Sequence, residues 1–241
     1  MKSFIVALLI VCACGTAMSQ PAGESRIPFL GEMAPAFVAE STRGKIKFPE
    51  DYFNKWRIIL SHPGAFTPVC TSELIEYADL QDVLKKHNAE LIVISADGVS
   101  SNNEWLKSIE TLTYKGKKPA EIKFPIVSDQ GFAISKQYGM QHLKSNSTKS
   151  IRGVFIVDPG NKIRLIEFYP SEIGRSTHEM LRALIALQES DNRGVLTPAN
   201  WQVGDDFLIR PPKNMDEFED MRKNGKETEY YLNWYMWFQK Y

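Results

Sequence analysis

The sequence predicts an α/β domain with a mixed central sheet, followed by a small irregular unit. Three observations carry this. Short apolar, β-branched runs at 57–61, 91–95 and 154–157 alternate with stretches whose apolar residues recur at helical spacing. The runs at 154–157 and 162–168 are separated only by Asp158-Pro159-Gly160-Asn161, a turn sequence that predicts an antiparallel hairpin. Composition changes near Ser190, after which Pro198, Pro211, Pro212 and a charged stretch at 213–229 replace the periodic pattern.

In chain order, residues 57–61 (RIILS) read as a buried strand. A Pro/Gly-rich loop follows, then Leu74, Tyr77, Leu80 and Leu84 at helical spacing. Residues 91–95 (LIVIS) form the second strand and run out at Asp97-Gly98. A helix is expected over 102–109, a third strand over 124–127 and a short helix over 132–138. After the hairpin, Met180, Leu181, Leu184, Ile185 and Gln188 mark a last long helix. The resulting order is β-α-β-α-β-α-β-β-α, and the chain divides into 1–19, 26–189 and 190–241.

Hydrophobic residues make up 43% of the chain and charged residues 24%, which excludes global disorder. The 29 Lys+Arg balance 29 Asp+Glu, so no basic surplus points to a nucleic-acid partner. The first twenty residues have the layout of a secretory signal: Lys2, an apolar run at 4–14, then Ala17-Met18-Ser19 as the small-residue cleavage site. The run is shorter than the ~20 residues that span a bilayer. An uncleaved anchor, a buried strand, or a lipoprotein signal acylated at Cys14 are the alternatives. Cleavage after Ser19 makes the protein secreted or otherwise extracytoplasmic, and removes Cys12 and Cys14 of the three cysteines. Cys70 then has no partner in its own chain, so no disulfide framework exists. It is buried and inert, paired between chains, or reactive.

The stretch around it, His62-Pro63-Gly64-Ala65-Phe66-Thr67-Pro68-Val69-Cys70-Thr71, reads as strand end, turn and helix start. Thr67 suits the N-cap and Pro68 the first helical position, where its missing N–H costs nothing. Cys70 falls at the third, among free backbone N–H groups and the positive end of the helix dipole. Such a position favours thiolate, where an ordinary thiol of pKa about 8.5 is only a few per cent ionised at pH 7. Thiolate supply alone does not make a fast enzyme. Donors aimed at the breaking bond must supply the rest.

These residues resemble a peroxiredoxin. The Pro-x-x-x-Thr/Ser-x-x-Cys motif is met by Pro63, Thr67 and Cys70, and the surrounding residues are similar to the one-cysteine, peroxiredoxin-6-like subfamily. The likeness continues through Phe124-Pro125-Ile126, Arg152-Gly153-Val154-Phe155, Tyr169-Pro170, Gly174-Arg175 and Thr197-Pro198-Ala199-Asn200-Trp201. It implies a thioredoxin-like fold with a C-terminal extension in dimer contact, and a thiol-dependent peroxidase. Cys70 matches the peroxidatic cysteine, Arg152 the arginine holding thiolate and peroxide, and Thr67 the hydroxyl that bonds the peroxide. Pro63 matches the residue shielding the site, Arg175 a second arginine, and His62 a residue beside the pocket. The implied partners are a peroxide, an external thiol and a second copy of the chain. No cofactor or metal is implied, and neither nucleic acid nor membrane is expected as a partner.

Taken alone, Arg175 also suits a surface pair with Glu172 or Glu179, and Arg152 the cap of a strand end. Some relatives carry a serine phospholipase nucleophile before the central strand. Phe53-Asn54-Lys55-Trp56 has lysine there, so that activity is not expected. The last twelve residues hold seven aromatics, suited to packing within the extension or across a dimer, with an exposed patch as the other option. Asn146-Ser147-Thr148 is a glycosylation sequon. The competing function is a secreted binding or signalling protein that keeps the fold without turnover. A thioredoxin-type oxidoreductase is disfavoured by the lack of a Cys-x-x-Cys pair.

Overall fold

The structure, a computed structural model, describes residues 26–142 and 150–241. The expected leader and the Asn146 sequon lie outside the described residues. The order is β1 (Phe37–Ser41), β2 (Gly44–Phe48), a 3-10 turn (Glu50–Tyr52), β3 (Trp56–His62), α1 (Pro68–Lys86), β4 (Ala89–Ser95) and α2 (Val99–Glu110). There follow β5 (Ile126–Ser128), α3 (Ala133–Gln137), β6 (Arg152–Val157), β7 (Ile163–Tyr169) and α4 (Thr177–Arg193). The C-terminal unit holds β8 (Phe207–Ile209), α5 (Met215–Asn224), β9 (Glu229–Asn233) and β10 (Met236–Gln239).

The main sheet has seven strands in the order β2-β1-β5-β4-β3-β6-β7. The β3–β4 and β4–β5 pairs are parallel, whereas β6 runs antiparallel to both β3 and β7. This is the mixed, thioredoxin-like sheet expected from the sequence. Its central strands are apolar on both faces because helices cover both. Ile58 and Leu60 of β3, Leu91 and Val93 of β4, and Val154 and Ile156 of β6 join α1, α2 and α4 in one core. Their neighbours Ile59, Ile92, Ile94, Phe155 and Val157 turn to the other face, against β1, β2 and α3. Strand alternation thus builds two cores from one set of runs.

The differences from expectation have local causes. The β1–β2 hairpin is masked in sequence by Glu40, Arg43, Lys45 and Lys47, since a sheet edge carries charge on its open side. The third strand starts at Ile126, not at residue 124. Pro125 has no N–H for the ladder and contributes only its carbonyl, to Val93 N at 3.1 Å. The division at 189/190 falls inside α4, which runs to Arg193 and stops where Gly194 adopts φ 69°. Ile185 and Ala186 of that helix pack with Val195, Trp201 and Phe207, so the helix serves both units.

The region read as irregular forms an antiparallel sheet in the order β8-β10-β9. Its strands are three to five residues long, too short for a clear period in the sequence. The aromatic tail packs largely on itself. Tyr230 stacks on Phe238 at 5.0 Å, Tyr231 lies 4.8 Å from Trp237, and Trp237 is buried. Leu232, Trp234 and Tyr235 at the hairpin tip stay exposed.

Candidate active site

The site lies where β3 ends. After His62 the chain leaves the sheet, turns through Phe66 at φ 57°, and enters α1 at Pro68. Thr67 takes the N-cap with extended backbone, Pro68 the first helical position and Cys70 the third, as the sequence predicts. The Thr67 hydroxyl does not cap the helix, however. It donates to the Gly64 carbonyl at 2.9 Å, because the preceding tight loop offers an acceptor of its own. Asp97 steadies that loop by accepting from Ala65 N at 2.7 Å. The Trp105 indole N–H donates to Thr71 Oγ1, which itself donates to the Thr67 carbonyl at 2.8 Å. The first turn of α1 is therefore braced from α2.

Cys70 is 1% exposed. Its Sγ accepts from Arg152 Nη1 at 3.2 Å. Arg152 opens β6 and is likewise buried, with Nε and Nη2 donating to the Ser171 carbonyl at 3.1 and 2.9 Å. The same Nη1 donates to Glu73 Oε2 at 2.8 Å. Glu73 also receives Arg175, whose N and Nε reach Oε1 at 2.8 and 2.9 Å and whose Nη2 reaches Oε2 at 2.7 Å. Glu73 is thus the hinge between two buried guanidinium groups. It lies one helical turn after Cys70, on the same face of α1.

The charge count of this cluster is informative. Two arginines and one glutamate leave one positive charge among side chains at most 3% exposed. A buried net charge is costly, and a thiolate at Cys70 would cancel it. Burial pulls the Arg175 guanidinium down, but Tyr77, Glu73 and Cys70 together hold it above its ordinary value. The fixed donors around Cys70 need no rearrangement when charge moves from sulfur to a bound acceptor.

The structure thus brings together Cys70, Arg152 and Arg175, with Thr67 at the same helix start. Pro63 sits half-buried in the loop. His62 is buried at the strand end and packs edge-on to Trp105 at 5.1 Å, as a packed strand-end histidine would. The suggested partners of Arg175 are corrected. Glu179 pairs with Arg182 at 2.6 Å, and Arg175 turns inward to Glu73. The sequence reading does not include Glu73, although its i+3 spacing from Cys70 on a largely apolar face is a usable signal. Lys55, at the position of the absent serine, pairs with Glu90 at 2.7 Å. Among the described residues no group of three or more His, Cys, Asp or Glu is placed to hold a metal ion, and no helix is long and apolar enough to cross a membrane.

Comparison with known proteins points the same way. Residues 30–166 match the model of the AhpC/TSA family, and residues 186–225 match the C-terminal domain of 1-Cys peroxiredoxin. A peroxiredoxin of Methanosarcina mazei is 44% identical over 215 residues, covering 89% of this chain and 98% of its own. Similar in structure is a yeast mitochondrial 1-Cys peroxiredoxin, at TM-score 0.77 and 36% identity, over 89% of this chain and 100% of that one. The peroxiredoxin 6 of Arenicola marina follows at TM-score 0.75 and 32% identity, over 88% and 98%.

Proposed function

The chain belongs to the AhpC/TSA family of peroxiredoxins, thiol-dependent peroxidases, and on that premise we propose how its residues do the chemistry, and where. The observation that carries the assignment is the 3.2 Å contact between Arg152 Nη1 and Cys70 Sγ inside a buried charge cluster. The Cys70 thiolate attacks one peroxide oxygen in line with the O–O bond. A new S–O bond forms, the O–O bond breaks with its electron pair on the departing oxygen, and that oxygen takes a proton from solvent. Arg152 and the N-terminal N–H groups of α1 face the developing charge. Thr67 orients the peroxide, Pro63 shields the thiol, Arg175 holds Glu73 and with it Arg152, and His62 packs the wall beside them.

Cys70 becomes a sulfenic acid. Among the described residues it is the only cysteine; a first external thiol condenses with the sulfenic acid, releasing water, and a second attacks the mixed disulfide, freeing the Cys70 thiolate and leaving an external disulfide. The yeast relative is described as resolved through glutathione and thioredoxin systems. Either a small thiol or a dithiol protein fits here. Hydrogen peroxide and organic hydroperoxides both carry the O–O bond that this chemistry cleaves.

The remaining readings are the leader at 1–19 with export from the cytoplasm, a division into a catalytic unit and a C-terminal extension that share α4, and a homodimer. The dimer is supported by β7, an edge strand whose residues after Ile163 are only half-buried, and by the exposed apolar tip of the C-terminal hairpin. The test of the core assignment is peroxide consumption with a supplied thiol, which Cys70→Ser should abolish; an unchanged rate overturns it. Light scattering of the purified protein tests the dimer, and a monomer refutes it. Mass spectrometry of protein from its native host tests export, and a retained Met1 refutes it. The non-catalytic alternative is not favoured, because the family is one of peroxidases.

A further inference from the structure

The β3–β6 ladder stops just short of the site. Its last main-chain pair is Leu60 with Val154. One step further, Ser61 and Gly153 would face each other, but the strands part there and side chains take over. The Ser61 hydroxyl accepts from Gly153 N at 2.8 Å and donates to the Ile151 carbonyl. The carbonyls of Ser61 and Gly153 both accept from Arg175 Nη1, each at 2.9 Å. Arg175 thus fills the acceptors that a continued ladder would have used, and the Ser61 hydroxyl is the nearer of two acceptors for Gly153 N, which also reaches the Ile151 carbonyl at 3.1 Å.

The result brackets Arg152. One hydroxyl, fully buried, fixes the peptide group on each side of it, through Ile151 and Gly153. On the far side Gly153 leaves no room for a side chain, since an added Cβ would meet Met140 at 2.9 Å and Phe168 at 3.2 Å. Backbone pinned on both sides of a residue fixes the direction of its Cα–Cβ bond, and a small swing there is magnified along an arginine side chain. A displacement of about 1 Å at a reacting centre costs on the order of a hundredfold in rate.

We propose that Ser61 is a positioning residue for the peroxidase reaction: its hydroxyl holds the opened end of β6 so that Arg152 meets Cys70. Ser61 acts through Arg152 and takes no part in the bond changes. The proposal rests on Cys70 being the peroxidatic residue.

The test compares wild type, Ser61→Ala, Arg152→Gln and the double variant. For each, kcat/KM for hydrogen peroxide with dithiothreitol, the pH profile of Cys70 alkylation by iodoacetamide, and the melting temperature are measured. Ser61→Ala should lower kcat/KM about ten- to a hundredfold and move the alkylation profile to higher pH. It should add little in the Arg152→Gln background, because both changes remove the same contact. A serine that only supports the fold would lower the melting temperature, leave the alkylation profile of the folded protein in place, and act independently of Arg152. Either of the last two results overturns the proposal. If the alanine variant does not fold, Ser61→Cys, close in volume and a poor hydrogen-bonding group, carries the same expectations, with alkylation read at the Cys70 peptide by mass spectrometry. Should wild type itself not consume peroxide, the peroxidase reading fails, while the alkylation profiles still decide whether Ser61 controls the Arg152–Cys70 contact.

Discussion

The β3–β6 strand pair buries arginine at both of its ends, and the two ends do opposite things with it. At one end, Arg57 pairs with Val157 in the ladder and is 1% exposed. Its guanidinium donates to the Lys55 and Asp158 carbonyls at 2.5 and 2.7 Å and to the Asn161 amide oxygen at 2.6 Å. It lies over the Phe48 ring at 5.4 Å. At the other end, Arg152 and Arg175 share a carboxylate, and one of them touches a sulfur. Burial pushes the Arg57 guanidinium below its ordinary value, whereas Arg175 is held above its own. Burial of an arginine therefore does not mark a functional site. Neutral acceptors make a staple that closes the hairpin turn; a carboxylate and a thiol in reach make a site that can move charge.

The sharpest way to break this contrast is kinetic. Arg152→Gln should lower kcat/KM for peroxide by about a thousandfold, the loss typical of a missing charge-stabilising donor. Arg57→Gln should leave the rate per folded molecule unchanged. Equal losses in stopped-flow assays would erase the distinction. Next in size is Glu73→Gln, which leaves two buried guanidinium groups without their carboxylate. It should destabilise the fold by about 3–5 kcal/mol in urea titrations, and a loss below that of Arg57→Gln would put the cluster's electrostatics in doubt. Arg57→Gln itself should cost about 1–3 kcal/mol, the penalty of orphaned carbonyls at a staple.

Smaller effects sharpen the surface margin of the site end. Ser176, the residue after Arg175, caps α4 by accepting from Glu179 N at 3.2 Å. Ser176→Ala should cost about 1 kcal/mol with little change in rate, which separates support of the helix from support of the arginine. The weakest is an acid effect. The hydrogen bonds from Arg182 hold the Glu179 carboxyl below its ordinary value. A depressed carboxyl adds stability above the ordinary carboxylate range and loses it as pH falls through the depressed value. Glu179 is partly exposed, so the gain is a few tenths of a kcal/mol. It should show as a slightly steeper acid loss of melting temperature in wild type than in Glu179→Gln.

Legibility varied along the chain for physical reasons. Residues 57–61 and 91–95 were readable because a strand covered by helices on both faces must be apolar throughout. The β1–β2 hairpin was not, since alternate residues of the edge strand β2 and of its neighbour β1 face water and carry charge. At the site, Thr67, Pro68 and Cys70 were legible through helix-start chemistry, which is local. Arg175 was legible as a position through the family likeness, but its partner was not. Glu73 is 102 residues away in sequence, and nothing near Arg175 announces it.

The sequence by itself determined the α/β class, the helix start that places Cys70 among free N–H groups, and the small number of cysteines. These depend on residue types within a few positions of one another or on simple counts. Only the tertiary structure decided that Thr67 turns its hydroxyl to Gly64, that Glu73 joins the two arginines, and that Ser61 holds the strands where they part. Each of those is a choice between acceptors that compete in space, and buried donors take the acceptor that the fold brings within reach, not the one nearest in sequence.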